Sequence, residues 1–181
     1  MTEKENNSII ELLQPLVSKS FHEETIARSE YLIREGQIES FIYIIFEGAV
    51  HAYYLNGTDE ISIRFGYKGS IITSLASMMS KSPSELFIQA IRKTRLVKIP
   101  TKLFLEGVKT LPSVRDLYMN MLEDLVVQQL ERELDLITSS PTERYERVLK
   151  RSPKLFQEIP AKYIASYLRM TPETLSRIRK S

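Results

Sequence analysis

The chain has 181 residues, of which 43% are hydrophobic, and it carries 25 Lys and Arg against 23 Asp and Glu. This length can bury a sizeable core and form one large or two small domains. The absence of cysteine excludes disulfides, thiolate redox switches and cysteine-ligated zinc or iron–sulfur clusters. Residues 1–7 are polar and no apolar run approaches the length of a membrane span. We therefore expect no signal peptide, no membrane contact and a cytoplasmic location.

Charge is distributed unevenly along the chain. Residues 1–140 carry 15 Lys and Arg against 19 Asp and Glu, a net charge of −4, whereas residues 141–181 carry 10 against 4, a net charge of +6. An acidic body joined to a basic C-terminal segment is typical of a sensor joined to a nucleic-acid-binding module, because phosphate neutralisation supplies most non-specific affinity. The alternative is a solvated basic surface without a partner.

The N-terminal part changes from a helical to a strand period. Apolar residues at helical spacing predict a short helix over residues 8–19. Short β-branched and aromatic runs then predict strands at residues 31–33, 41–46, 49–55, 60–65, 87–91 and 95–99. Turn signals separate many of them, at Gly36, Gly48, Gly57, Gly69 and Pro83. The pattern predicts an antiparallel β-roll, of double-stranded β-helix or jelly-roll type, in an α+β chain.

The helical period returns after Pro112 and continues to Ile137 as an apolar stripe wider than a coiled-coil seam. A helix this long and broadly apolar needs two neighbours. We expect its own roll on one side and a second copy of the chain on the other, which makes a two-fold homodimer. The residues expected at the dimer interface are Val114, Leu117, Tyr118, Met121 and Leu125. The alternative is a core helix in a monomer.

Short helices follow the long one. The run Ser139-Ser140-Pro141-Thr142 ends the long helix and begins the next, over residues 142–151, and Ser152-Pro153 leads into a turn or short helix. Residues 159–180 predict two further helices, broken near residues 169–171, with Thr171 capping the second and Pro172 at its first position. The order predicts a helix-turn-helix.

The second helix of that pair has two different faces. Leu175 and Ile178 fall on one side, while the polar residues Glu173, Ser176, Arg177 and Lys180 gather on the other. Arginine reaches the paired acceptors of guanine and glutamate accepts from the cytosine amino group, so this face suits the DNA major groove. The alternative is an ordinary amphipathic hairpin that closes a domain.

The order of elements and the motif Thr171-Pro172-Glu173-Thr174-Leu175-Ser176-Arg177 together resemble the Crp/Fnr superfamily of bacterial transcription regulators, over nearly the whole chain. The Arg-Glu-Gly run at residues 34–36 and the Pro-Glu-Thr-Leu-Ser-Arg-Ile run at residues 172–178 look most like regulators of the Bacteroidetes. The resemblance implies a sensor domain related to cyclic nucleotide-binding domains at residues 1–110, a dimerisation helix at 111–138 and a DNA-binding domain at 139–181.

The resemblance also implies partners and residue roles. Double-stranded DNA would be contacted at its bases by Glu173, Ser176 and Arg177, and at its backbone by Thr171, Thr174, Arg179, Lys180 and Lys162. RNA polymerase and an unidentified small-molecule effector would be further partners. Two departures from the family pattern are Arg169 at a turn where glycine is common and the end of the sequence at Ser181, from which we expect a truncated or absent wing.

The cyclic-nucleotide machinery of the family is altered in this sequence. Its Gly-Glu-Leu segment corresponds here to residues 73–75, and its Arg-Ser/Thr-Ala segment to Ser84-Glu85-Leu86. The phosphate-binding arginine is absent and Glu85 brings a like charge, so we expect no cofactor and no cyclic AMP binding of the usual kind. The residues of a possible effector pocket are Ser70, Thr73, Ser74, Ser84 and Glu85, although serines at such turns also cap short helices.

Two other functions compete with a DNA-binding regulator. A ligand-sensing or protein-interaction dimer that has lost specific DNA binding would have the same architecture. An enzyme is the weakest alternative, because two isolated histidines, no cysteine, no phosphate-binding glycine loop and no nucleophile elbow leave few candidates for catalysis. Neither His22 nor His51 has the spacing of a metal or haem site.

Overall fold

The computed structural model describes residues 10–16 and 21–180. Residues 10–13 are helical and Gln14–Leu16 continue as a 3-10 turn; the rest of the helix predicted over residues 8–19 lies outside the described residues. The strands are β1 (Glu23–Ile26), β2 (Tyr31–Ile33), β3 (Phe41–Glu47), β4 (Ala49–Asn56), β5 (Asp59–Tyr67), β6 (Ile71–Ile72), β7 (Phe87–Ala90) and β8 (Thr94–Pro100). The helices are α1 (Leu75–Ser80), α2 (Thr101–Thr110), α3 (Pro112–Ile137), α4 (Pro141–Arg151), α5 (Pro153–Glu158), α6 (Ala161–Tyr167) and α7 (Pro172–Ile178).

The strands form an antiparallel jelly-roll-like domain of two four-stranded sheets. One sheet has the order β1-β8-β3-β6 and the other β2-β7-β4-β5. Buried apolar side chains from both sheets, including Ile45, Val50, Ile88 and Leu96, fill the space between them. The predicted strands are confirmed, because β-branched and aromatic side chains favour strands. Burial alternates along β7, whereas β3 and β4 are buried over four or five consecutive residues. Strands β1 and β6 were not predicted: the first is exposed at three of four residues, and the second has only two.

Glycines fit the tight connections of the roll. Gly57 follows β4 in the two-residue turn to β5 with φ +63°, and Gly48 joins β3 to β4 with φ +92°. A Cβ atom on Gly48 would lie 2.5 Å from the carbonyl oxygen of Lys93 and from Oγ1 of Thr94. Gly48 is therefore required both for its left-handed backbone and for the close approach of the neighbouring strand.

The first half of α3 packs against the chain's own roll. Val114 is completely buried in a cluster with Ile42, Val97 and Phe104, and Leu117 and Tyr118 lie against the same cluster. Placing Val114 at the dimer interface was therefore wrong, because it has no surface left for a second copy. The predicted residues Leu117 and Tyr118 also contact the roll, and Met121 and Leu125 line a cavity of about 390 Å³ between α3 and the roll.

The second half of α3 leaves apolar side chains in solvent. The large exposed hydrophobic residues in this part are Val126, Val127, Leu130, Leu134, Leu136 and Ile137. At about 100° per residue, Val126, Leu130 and Ile137 fall on one line, opposite to Val114 and Leu117. The helix thus has one face on the roll and, further along, an uncovered apolar line on the other side.

The last four helices pack together and against the roll. Val148, Leu155, Ile164, Leu168 and Leu175 share a buried cluster with Ala49 and Ile91 of the roll. The hydroxyl of Ser140 caps α4 by accepting from the backbone N–H of Glu143 at 3.3 Å. Within the described ranges, no helix is both long and apolar enough to cross a membrane.

Candidate nucleic-acid interface

Helices α6 and α7 are joined by a turn with a left-handed residue. Arg169 has φ +55°, a conformation that costs a non-glycine residue roughly 1–2 kcal/mol. Thr171 caps α7, because its Oγ1 accepts from the backbone N–H of Thr174 at 3.2 Å, and Pro172 takes the first helical position. The predicted break, cap and proline position are confirmed.

Helix α7 has one buried and one exposed side. Leu175 is 1% exposed and packs in the cluster with Ile164 and Leu168. Glu173, Ser176 and Arg177 are exposed together on the other side, as the predicted base-contacting set requires. Their exposure leaves this face of the helix accessible to a partner.

Charge on the exposed side of α7 is organised around its first turn. The backbone amide of Glu173 and the hydroxyl of Thr171 lower the pKa of the Glu173 carboxyl, and Arg177 lowers it further. The positive end of the helix dipole also stabilises a carboxylate in this position. Glu173 is therefore an ionised acceptor at neutral pH, one turn away from the Arg177 donor.

The residues predicted to contact the DNA backbone flank that face. Arg179 and Lys180 are exposed beyond the end of α7, and Lys162 is exposed near the start of α6, with its Nζ 4.4 Å from the centroid of the Tyr163 ring. Thr171 and Thr174 are held by the cap described above, with Thr174 half-buried. The predicted contacts thus come from both ends of the helix pair.

Helix α6 docks on the β4–β5 hairpin of the roll. The hydroxyl of Ser166 donates to the carbonyl oxygen of Glu60 and accepts from the backbone N–H of Ser62, both at 2.9 Å. Phe65 and Tyr167 make a ring contact with centroids 5.5 Å apart. Sequence patterns did not predict this contact, because its partners are more than a hundred positions apart and neither carries a local signal.

His51 lies buried in that contact. Its ring is completely inaccessible and lies between Tyr53, at 4.7 Å between centroids, and Tyr163 of α6, at 4.6 Å. Burial lowers the pKa of His51 to about 4, against the smaller opposing effect of its hydrogen bond to Gln89. Its Nδ1 has no hydrogen-bond partner. His51 is therefore neutral at physiological pH and contacts α6 through Tyr163.

The predicted effector residues do not form one pocket. Ser74 and Ser84 are buried and share a hydrogen bond of 2.8 Å, whereas Glu85 is exposed. Ser70 and Thr73 line the cavity between the roll and α3 instead. The capping alternative is also wrong for Ser74, which occupies the N-cap position of α1 without a side-chain cap bond.

A buried carboxylate occupies the interior next to those serines. Glu39 is 5% exposed and accepts from the backbone N–H groups of Ser74, at 3.0 Å, and of Phe41, at 3.1 Å. Tyr43 donates to the same side chain at 3.3 Å. One backbone donor at the start of α1, the Ser74 amide, is thus already used by the protein itself. No group of three or more metal-ligating side chains occurs in residues 10–16 and 21–180.

The roll is similar to a known domain family. Residues 23–110 match the model of the cyclic nucleotide-binding domain family. No curated protein sequence matches the chain. A CooA variant from Carboxydothermus hydrogenoformans is 18% identical with a TM-score of 0.72, covering 88% of this chain and 75% of its own.

Two more solved structures share the architecture. A cyclic nucleotide-binding domain containing protein from Listeria monocytogenes is 19% identical, with a TM-score of 0.72, and covers 96% of this chain and 88% of its own. CLP of Xanthomonas campestris, described as a c-di-GMP responsive global regulator, is 14% identical, with a TM-score of 0.67, and covers 96% and 90%. The chain thus combines a roll that matches the cyclic nucleotide-binding domain family over residues 23–110 with the overall fold of these proteins.

Proposed function

We propose that this chain is a sequence-specific DNA-binding transcription regulator of the Crp/Fnr type. The observation that carries the proposal is the pairing of a packed side of α7, at Leu175, with an exposed side that presents Glu173, Ser176 and Arg177. These three side chains supply the donor and acceptor groups that distinguish base pairs in the major groove. The resemblance of residues 172–178 to regulators of the Bacteroidetes supports a relationship to that group.

Electrostatics support the same assignment. Ten of the 25 Lys and Arg residues fall within residues 141–181, which contain only four acidic residues. Arg179 and Lys180 extend the positive charge beyond α7. Contacts from such side chains to phosphates fix the register of a protein on the duplex, while the base contacts select the sequence. A DNA-bound regulator would act in the bacterial cytoplasm, together with RNA polymerase.

We propose that the active form is a homodimer paired through the second half of α3. Val126, Leu130 and Ile137 are 59%, 58% and 72% exposed and lie on one line of the helix. An uncovered apolar line along a helix is stabilised by a second copy packed about a two-fold axis. Two copies of α7 would then contact a near-palindromic site with half-sites about one helical turn, ~34 Å, apart.

The signal is proposed to be something other than a cyclic nucleotide bound in the usual manner. The phosphate-binding arginine is replaced within Ser84-Glu85-Leu86, and Glu39 already accepts from the Ser74 amide. A second anion there would meet a buried carboxylate at close range, which costs affinity. Calorimetry tests this directly: micromolar affinity for cyclic AMP or cyclic GMP would contradict it.

The DNA contact is tested with Arg177→Ala. A duplex is first selected from a random pool by the parent protein, and affinity is then measured by fluorescence anisotropy on that duplex and on its single-base variants. Loss of one bidentate guanine contact is worth about 1–3 kcal/mol, so binding should weaken by roughly 5- to 150-fold and selectivity should fall at one base pair. The matched control is Lys109→Ala, which removes an exposed cation from α2.

Three outcomes separate the alternatives. Weaker and less selective binding by Arg177→Ala, with no change for Lys109→Ala, supports the proposal. Unchanged affinity and selectivity contradict the role of Arg177. Weak binding by the parent that is indifferent to sequence supports instead a sensing or interaction dimer without specific DNA binding.

A further inference from the structure

A cavity lies where the roll, the long helix and the C-terminal helices meet. Its volume is about 310 Å³, and its lining includes Arg64 of β5, Arg132 of α3, Arg151 of α4 and Tyr167 of α6. The other lining residues are neutral, so three guanidinium groups face a space with no carboxylate in its wall. The cavity is separate from the buried serines and Glu39 inside the roll.

One of the three arginines is neutralised by acidic partners. Arg151 forms ion pairs with Asp135 and with Glu131, the latter at 3.2 Å. Asp135 is completely buried and is also bound by Arg147 at 3.2 Å. The two carboxylates of α3 are thus engaged by α4, which leaves the other two arginines of the cavity without a dedicated acidic partner.

Arg132 is buried with an incomplete set of partners. It is 6% exposed, its Nη2 donates to the carbonyl oxygen of Tyr167, and its guanidinium carbon lies 3.7 Å from the centroid of the Tyr167 ring. Its Nη1 is buried and has no hydrogen-bond partner. Burial lowers the pKa of this guanidinium. A buried, charged donor without an acceptor is costly and indicates a missing partner.

Arg64 of β5 also lines the cavity and is half-buried. Among the described residues, its side chain makes no hydrogen bond and no ion pair, and burial lowers its pKa. It also borders the larger cavity between the roll and α3. Two guanidinium groups from different elements are thus partly desolvated around one space, and each has donors to spare.

We propose that this cavity binds a small phosphorylated organic compound, whose phosphate is held by Arg64 and Arg132. Guanidinium groups match phosphate oxygens with paired, charge-assisted hydrogen bonds. The volume is at the lower end of the range for small-molecule sites and exceeds what a lone phosphate fills. Phe65, Tyr67 and Tyr167 provide surfaces for the organic part.

The position of the site assigns it a regulatory role. The phosphate would be bound by the roll through Arg64 and by α3 through Arg132. Tyr167, the last residue of α6, lines the same cavity and accepts a hydrogen bond from Arg132. A ligand that contacts all three favours the arrangement in which α6 is docked on the roll, because it binds that arrangement better than one with α6 released. This effect concerns the position of the helix pair and does not require that the pair binds DNA.

The experiment is calorimetric titration of the full chain at constant ionic strength with ribose 5-phosphate, inorganic phosphate and ribose. Ribose 5-phosphate is expected to bind saturably, inorganic phosphate more weakly and ribose not at all. Arg64→Gln should weaken the binding of ribose 5-phosphate by about tenfold or more, because it removes a charge-assisted hydrogen bond. Arg64→Gln loses no hydrogen bond within the described protein, so its fold should persist, unlike that of Arg132→Gln.

The control is Lys109→Gln, which replaces an exposed cation of α2 that does not line the cavity. Unchanged affinity in this variant, together with weaker binding by Arg64→Gln, supports the site. Absence of binding by every phosphate-bearing probe overturns it, as does equal affinity of the parent and Arg64→Gln. Since no DNA is used, the result is independent of the proposed DNA-binding function.

Discussion

Acidification should destabilise the folded chain through His51, which lies where the roll contacts the C-terminal helices. The ring of His51 is completely buried between Tyr53 of β4 and Tyr163 of α6. It shares a hydrogen bond with Gln89, and the positive charge of Lys162 opposes its protonation. Burial lowers the pKa to about 4, from 6.5 in the unfolded chain. The folded state therefore binds fewer protons than the unfolded state between these values, and stability is lost as the pH falls below 6.5.

The magnitude follows from the two pKa values. With a pKa of 6.5 unfolded and about 4 folded, the free energy of unfolding should fall by about 2 kcal/mol between about pH 7 and pH 5, at 1.36 kcal/mol per unit. Most carboxyl groups have ordinary pKa values below this window. The only other histidine, His22, is exposed. The histidine contribution can therefore be isolated.

Urea denaturation of the parent and of His51→Gln at both pH values measures this effect. Glutamine cannot be protonated in this range and retains a polar group towards Gln89. On acidification, the free energy of unfolding of the parent should fall by about 2 kcal/mol more than that of the variant. An equal loss in both proteins would refute the conclusion that burial holds His51 neutral.

Two further predictions concern a turn and the dimer surface. Gly48→Ala should destabilise the chain by about 2 kcal/mol or more, because it adds a clash to a left-handed backbone. Gly36→Ala should cost only about 1 kcal/mol, because Gly36 has φ +83° but open space around its Cβ position. Equal urea midpoints for the two variants would show that the clash is absent. Leu130→Glu should convert a dimer to a monomer with an unchanged circular dichroism spectrum, and Met79→Glu, at an exposed site on α1, should not. Sedimentation of Leu130→Glu as a dimer would rule out this face of α3.

The elements of the fold could be predicted because their signals are local. Six strands carry their own β-branched and aromatic runs, and positive φ at Gly36, Gly48, Gly57 and Gly69 agrees with turns predicted from the sequence. The start of α7 follows from the preferences of two consecutive residues, a threonine at the cap and a proline at the first helical position. By contrast, β1 has no apolar alternation to reveal it, because it lies at the edge of its sheet and is exposed at three residues.

Contacts between distant segments could not be predicted. Periodicity gave the apolar stripe of α3 but not which part faces the roll, so Val114 was assigned to a partner although it is buried in its own chain. Helix periodicity also separated the two sides of α7 correctly. Nothing local indicates that Glu39 occupies the interior beside Ser74, or that Arg132 reaches the carbonyl of Tyr167, because each depends on the three-dimensional arrangement.

The central claim, that this chain binds specific DNA through α7, is tested most directly by genome-wide mapping of the DNA bound to the native protein in its own cells. We predict a limited set of sites that share a near-palindromic motif, with half-sites about one helical turn apart. The same mapping with Arg177→Ala should lose those sites. Binding spread evenly over the genome, or sites retained by Arg177→Ala, would contradict the account.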